Sequence, residues 1–142
     1  MRVGPTLNQV LATYGDKVRL IYRDYPLPMH PRAAPASEAA MCANEQGKFW
    51  EFHDKIFANA QALEDANFKQ HAADLGLDVA AFNACYDAGK FRNAVQAEFQ
   101  AGSSLGVSGT PAFFINGRFV SGALPFEQFR SIIDDELQRA GG

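Results

Sequence analysis

Cysteine is scarce in this sequence. Only Cys42 and Cys85 occur, on separate predicted helices, and there is no Cys-x-x-Cys anywhere. These two residues are therefore not a vicinal redox pair. By count alone they are compatible with one disulfide or with two buried thiols. Long apolar runs are also missing. No stretch approaches the roughly 20 apolar residues that a bilayer-spanning helix needs, so membrane insertion is not expected. The first ten residues lack the charged start and apolar block of a secretory signal. Basic runs are absent as well. The 13 Lys+Arg and 16 Asp+Glu are interspersed and sum to a net charge of −3, which gives no electrostatic case for nucleic acid. The three histidines, His30, His53 and His71, show no metal-ligand spacing with the cysteines. Neither a metal nor a cofactor is expected.

What is present is apolar. The 47% hydrophobic content and 12 Phe in 142 residues suit one folded domain with a real core. The most informative stretch runs from Val107 to Gly122. Its two short strand-like runs, Ala112 to Ile115 and Arg118 to Ser121, are joined by Asn116-Gly117. Asn-Gly between such runs is a strong hairpin signal, because a type I′ turn needs positive φ at both central residues. Pro111 precedes the first run, where its missing N–H is tolerated. The bond before it can be trans or cis at small cost.

Helical patterns fill most of the remainder. Leu7, Val10 and Leu11 predict a helix from Pro5 to Tyr14, stopped at Gly15. Val18 to Tyr25 is β-rich, with Ile21 on the second face, and predicts a strand covered on both sides. Pro26, Pro28 and Pro31 break regular structure. Alanines at 36, 39, 40 and 43 predict a helix over Pro35 to Gln46. Lys48 to Ala58 is apolar around much of its circumference and predicts a core helix. Asp65 and Asp78 are expected to cap the next two helices, which stop at Gly76 and Gly89. Phe91 to Leu105 and a last helix opened by Pro125 complete the order.

Several segments together resemble one family. Gly109-Thr110-Pro111-Ala112-Phe113-Phe114-Ile115-Asn116-Gly117-Arg118, followed by Gly122 and a helix, is similar to the cis-proline loop and final hairpin of the DsbA-like branch of the thioredoxin superfamily. Tyr22-Arg23-Asp24-Tyr25-Pro26-Leu27 with His30-Pro31 resembles that family's second strand and its exit. Cys42 to Trp50 with His53-Asp54 resembles the start of its helical insertion. The resemblance implies an α/β, predominantly helical, thioredoxin-like fold whose first β-strand is missing. Residues 1–34 and 106–142 would form the incomplete thioredoxin-like domain, and residues 35–105 the insertion.

The resemblance also implies function. Members exchange disulfides with cysteine-containing proteins through thiolate attack and a mixed disulfide. Gly109, Thr110 and a cis Pro111 would hold an extended polypeptide substrate. Cys42 and Cys85 would form a second, non-catalytic bridge. The catalytic pair is absent, so the chain as given is expected to be inactive in exchange. By register the pair would end just before Met1, which reads as an internal methionine of a truncated chain. The family setting is periplasmic or otherwise extracytoplasmic. The alternative is a redox-inactive peptide-binding or chaperone-like module on the same scaffold. Without the first strand, Val18–Tyr25 and Ala112–Ile115 would face a gap. Direct pairing, exchange between protomers into a homo-oligomer, or a strand from another chain would repair it.

Other patterns carry less. Gly102-Ser103-Ser104-Leu105-Gly106 matches the spacing of a nucleophile elbow, but a helix precedes it and no histidine follows. His53 reads as a packed core residue. Glu38, Glu45 and Glu51 read as solvated helix faces, and Phe113 and Phe114 as core.

Overall fold

The alanines of the second predicted helix explain how the helical part of this chain packs. In a computed structural model, which describes residues 3–141, that helix is α2 (Ala33–Asn44). Its Ala39 and Ala43 are completely buried. Small side chains let backbones approach closely, and α2 touches α3 (Phe49–Ala58), α4 (Asp65–Asp74), α5 (Val79–Asp87) and α6 (Arg92–Ser104). Phe52, Phe68 and Phe82, none of them exposed to solvent, fill the space between these helices. At about 1.5–3 kcal/mol for each fully buried large side chain, these three rings contribute substantially to the stability of the unit.

The helix ends follow local chemistry. Asp78 caps α5, its carboxylate accepting from the Ala81 N–H at 3.0 Å. Asp65 does not cap α4. Glu64 does, in a reciprocal arrangement in which its own N–H donates to Asn67 Oδ1 at 3.0 Å. Asp65 is drawn away to Arg32 and Tyr86, each 2.6 Å from its Oδ1.

The second unit is built from the chain ends. It comprises α1 (Gly4–Tyr14), a 3₁₀ turn (Gly15–Lys17), β1 (Ala112–Ile115), β2 (Arg118–Ser121) and α7 (Phe126–Arg139). β1 and β2 are antiparallel, pairing Ala112 with Ser121 and Phe114 with Phe119. Asn116 and Gly117 turn between them at φ 48 and 88°. Strand alternation sends Phe113, Ile115 and Val120 toward α7, where the Phe113 ring meets Phe129 edge-on at 4.9 Å. Phe114 and Phe119 lie on the other face, 43% and 49% exposed. Phe114 is therefore not core, contrary to the sequence expectation.

Two further expectations are corrected. Residues 18–25 form no strand, and the sheet among the described residues has two strands only. Direct pairing with Ala112–Ile115 is not formed. β-propensity describes side chains that suit a pleated surface, and a strand exists only where a ladder forms. Nor is the stretch covered on both sides, since Ile21 is 54% exposed. The division of the chain also differs. One unit takes the described residues up to Tyr22 and from Gly106 onward, and the other is Arg23–Leu105. Residues 23–34 group with the helices because Arg23 and Asp24 bond Glu98 and Arg32 bonds Asp65. Met1, read as an internal methionine, lies outside the described residues.

Candidate functional site

The residues singled out for substrate contact stand where the chain enters β1. Val107 and Ser108 leave α6 without regular structure, and Gly109 to Pro111 form a bend that leads into the ladder. The Thr110–Pro111 peptide is cis. The Pro111 carbonyl accepts from the Gly122 N–H at 2.9 Å, which extends the hairpin by one bond beyond the strands. Pro111 has no N–H of its own to leave unpaired. Among the described residues, no hydrogen bond engages the backbone of Gly109 or Thr110. Thr110 is exposed, and Gly109 has open space where a Cβ would be. The loop thus leaves the Gly109 and Thr110 backbone unpaired, with Thr110 exposed, next to an edge strand. Chemically, that is a short template for an extended polypeptide.

The hairpin that carries the loop is tied to α7 by an ion pair. Arg118 on β2 reaches α7, with Nη1 2.6 Å from Asp135 Oδ2 and 3.1 Å from Glu136 Oε2. These carboxylates, Glu136 foremost, hold the Arg118 guanidinium even more firmly protonated than usual. No ionisable side chain belongs to the loop itself.

The cysteines belong to the other unit. Cys42 on α2 and Cys85 on α5 are joined by a disulfide, with Cα atoms 5.9 Å apart. Both are buried, at 2% and 7% exposure, and no free cysteine is present. His53 is packed among the rings of Phe49, Trp50 and Phe57, with Nδ1 3.1 Å from Asp54. Glu38 is not a solvated residue. It is 9% exposed and lies 3.8 Å from Arg92. Ser104 does not stand on an elbow: α6 runs through it, and its hydroxyl donates to the Gln100 carbonyl at 3.0 Å.

A cleft in the helical unit is lined by Arg32, Glu38, Asp65, Tyr86, Asp87 and Arg92. Its charges are matched internally. Asp65 holds Arg32 and Tyr86, Glu38 faces Arg92, and Lys69 lies 2.9 Å from Asp87. Asp65 is held below the usual carboxylate range by these bonds, that from Tyr86 first. The cleft leaves no uncompensated charge for a ligand. Sequence reading missed Asp24, taken as a strand residue and found buried. The only signal was an acid between two tyrosines.

A fold with this order, a helix, an extended stretch, a helical insertion and then a hairpin and helix, defines a thioredoxin-like protein of DsbA-like layout. The comparisons agree. The family model described as Thioredoxin matches residues 3–135, and the chain belongs to that family. A thioredoxin-like oxidoreductase from Silicibacter pomeroyi superposes with a TM-score of 0.75 at 22% identity, over 96% of this chain and 82% of its own. That likeness is one of fold. The Na(+)/H(+) antiporter NhaA 3 of Salinispora tropica is 37% identical over 115 residues, covering 80% of this chain but 18% of the antiporter. The Na(+)/H(+) antiporter NhaA of Herminiimonas arsenicoxydans is 32% identical over 123 residues, covering 87% and 20%. The chain therefore spans about a fifth of the length of the curated relatives it matches. Among the described residues, no helix is long and apolar enough to cross a membrane.

Proposed function

We propose that this chain is the polypeptide-holding part of a DsbA-like thiol–disulfide oxidoreductase. Gly109, Thr110 and Pro111 receive an extended, cysteine-containing substrate, and the reacting sulfurs come from residues other than Cys42 and Cys85. The observation that carries the reading is the Gly109–Thr110 backbone, without a hydrogen bond among the described residues and with Thr110 exposed, beside β1 in a chain of the thioredoxin family. Both sulfurs of the sequence are locked in a buried bridge, so they offer no thiolate for attack. Such a bridge suits an oxidising, extracytoplasmic setting. The free edge of β1 would also accept a strand from a second copy. Light scattering tests that exchanged oligomer, and a monomer at all concentrations would refute it.

The test is a titration of the oxidised chain with an extended cysteine-bearing peptide, followed by amide NMR. Shifts centred on Gly109, Thr110 and Ala112 are expected, and they should persist in the Cys42→Ser/Cys85→Ser double variant. The same chain should not accelerate insulin reduction. Shifts elsewhere, or turnover, would overturn the reading.

The locked sulfurs favour a second reading, a redox-inactive peptide-binding module on the same scaffold. The coding sequence upstream of codon 1 separates the two. An in-frame Cys-x-x-Cys after a strand-like run supports the first, and its absence supports the second. The antiporter relatives suggest that such a domain is appended to larger proteins. Ion transport is not assigned to this chain.

A further inference from the structure

Three successive residues staple the stretch after Tyr22 to α6. Arg23 Nη1 lies 3.4 Å from Glu98 Oε1. The Asp24 N–H donates to Glu98 Oε2 at 2.6 Å. The Tyr25 ring stacks on Phe99 with centroids 4.6 Å apart, and its hydroxyl is 2.9 Å from Ser103 Oγ. Within this staple Asp24 is 4% exposed, and its carboxyl lies beside the Glu98 carboxylate that holds its amide. From α2, Ser37 acts the other way and favours the ionised Asp24 carboxyl. The neighbouring acid on α2, Glu38, is matched by Arg92 of α6. Arg23 is turned largely to water, its side chain 75% exposed, and does not neutralise Asp24.

Two neighbouring carboxylates, one of them buried, resist joint ionisation. Asp24 is the more deeply buried of the two, 4% exposed against 24% for the Glu98 side chain, so Asp24 takes the proton. A protonated Asp24 carries no charge to repel the carboxylate that holds its amide. An ionised Asp24 repels that carboxylate and so weakens its bond to the amide.

We propose that Asp24 and Glu98 form a proton-operated latch, which clamps residues 23–25 onto α6 while Asp24 is protonated and loosens them when Asp24 ionises beside Glu98. Burial first, then the Glu98 charge, pushes the Asp24 carboxyl up to about 7. Because the folded-state value is raised, the clamp is complete in acid and is lost as pH rises through about 7. The latch is independent of the polypeptide-holding reading, since no residue of the 109–111 loop enters it.

The test follows the Asp24 carboxyl carbon by NMR from pH 4 to 9, together with exchange of the Asp24 and Tyr25 amides divided by their intrinsic rates. The carboxyl inflection is expected near pH 7, with corrected exchange rising as pH climbs from the ordinary carboxylate range toward about 7 and levelling off above it. In Asp24→Asn the exchange step disappears. In Glu98→Gln the Asp24 inflection moves down by about one pH unit or more. The latch is overturned if Asp24 titrates in the ordinary carboxylate range. It is equally overturned if Asp24 titrates near 7 while the two amides and the Tyr25 ring do not respond.

Discussion

Tyr14 and Asp134 are 120 positions apart in sequence, and the Tyr14 hydroxyl donates to Asp134 Oδ1 at 2.6 Å. A weaker bond runs from the same hydroxyl to the Arg130 carbonyl at 3.3 Å. One phenol thus ties the first helix of the chain to the last. Burial, then the Asp134 bond, raises its pKa to about 12. In Tyr14→Phe, urea unfolding at pH 8 should show a loss of about 0.5–1.5 kcal/mol, the usual net value of one such bond. Because the folded-state value is raised, that difference should be constant below pH 10 and vanish as pH rises through about 12. Tyr86 is raised in the same way, so only the difference between wild type and variant is diagnostic. A difference that persisted at pH 12 would contradict this account.

The Cys42–Cys85 bridge closes a loop of 43 positions between α2 and α5. On the chain-entropy model such a loop stabilises by up to about 4 kcal/mol. Reduction under native conditions should lower the urea midpoint accordingly, and Cys42→Ala/Cys85→Ala should do the same without reductant. Thiol titration of denatured, never-reduced protein should find no free thiol.

Phe52 and Trp50 share α3 but differ in depth. Phe52 is fully buried, its ring 5.6 Å from Phe82, whereas Trp50 is 42% exposed. Phe52→Ala should cost about 3–5 kcal/mol, because the closed helical core cannot collapse into the void. Trp50→Ala should cost less than half as much. Thermal unfolding of both variants ranks them, and the reverse order would contradict the packing described above.

His71 is 7% exposed, and both its ring nitrogens are buried without a hydrogen-bond partner. Burial, then the charge of Lys55, holds its pKa below the ordinary 6.5. The unfolded chain therefore takes up the proton first. The contribution of His71 is intact above pH 6.5 and declines as pH falls below it. His71→Leu orphans no partner, so stability at pH 7 should be unchanged or higher, and the loss between pH 6.5 and pH 5 should shrink. Urea midpoints of both proteins at pH 7 and pH 5 provide the check.

The hairpin and the helix order were legible because their causes are local. Asn116-Gly117 supplies the turn, Asp78 supplies its cap, and apolar residues recur at helical spacing. The candidate loop was legible through its place before the hairpin. Residues 18–25 misled because β-rich composition names a surface without naming a partner. Asp65 misled because its carboxylate was drawn to Arg32 and Tyr86, which are distant in sequence. Phe113 and Phe114 look alike in sequence, and only the facing of β1 sends one toward α7 and the other to solvent.

The sequence alone determined the absence of a vicinal cysteine pair, the Asn-Gly turn and the apolar faces, since each depends on residues a few positions apart. Tertiary structure alone decided that the two sulfurs bond, that Asp24 is buried against Glu98 and that Tyr14 reaches Asp134. Those outcomes depend on distance and burial, which arise only when segments remote in the chain displace water from one another.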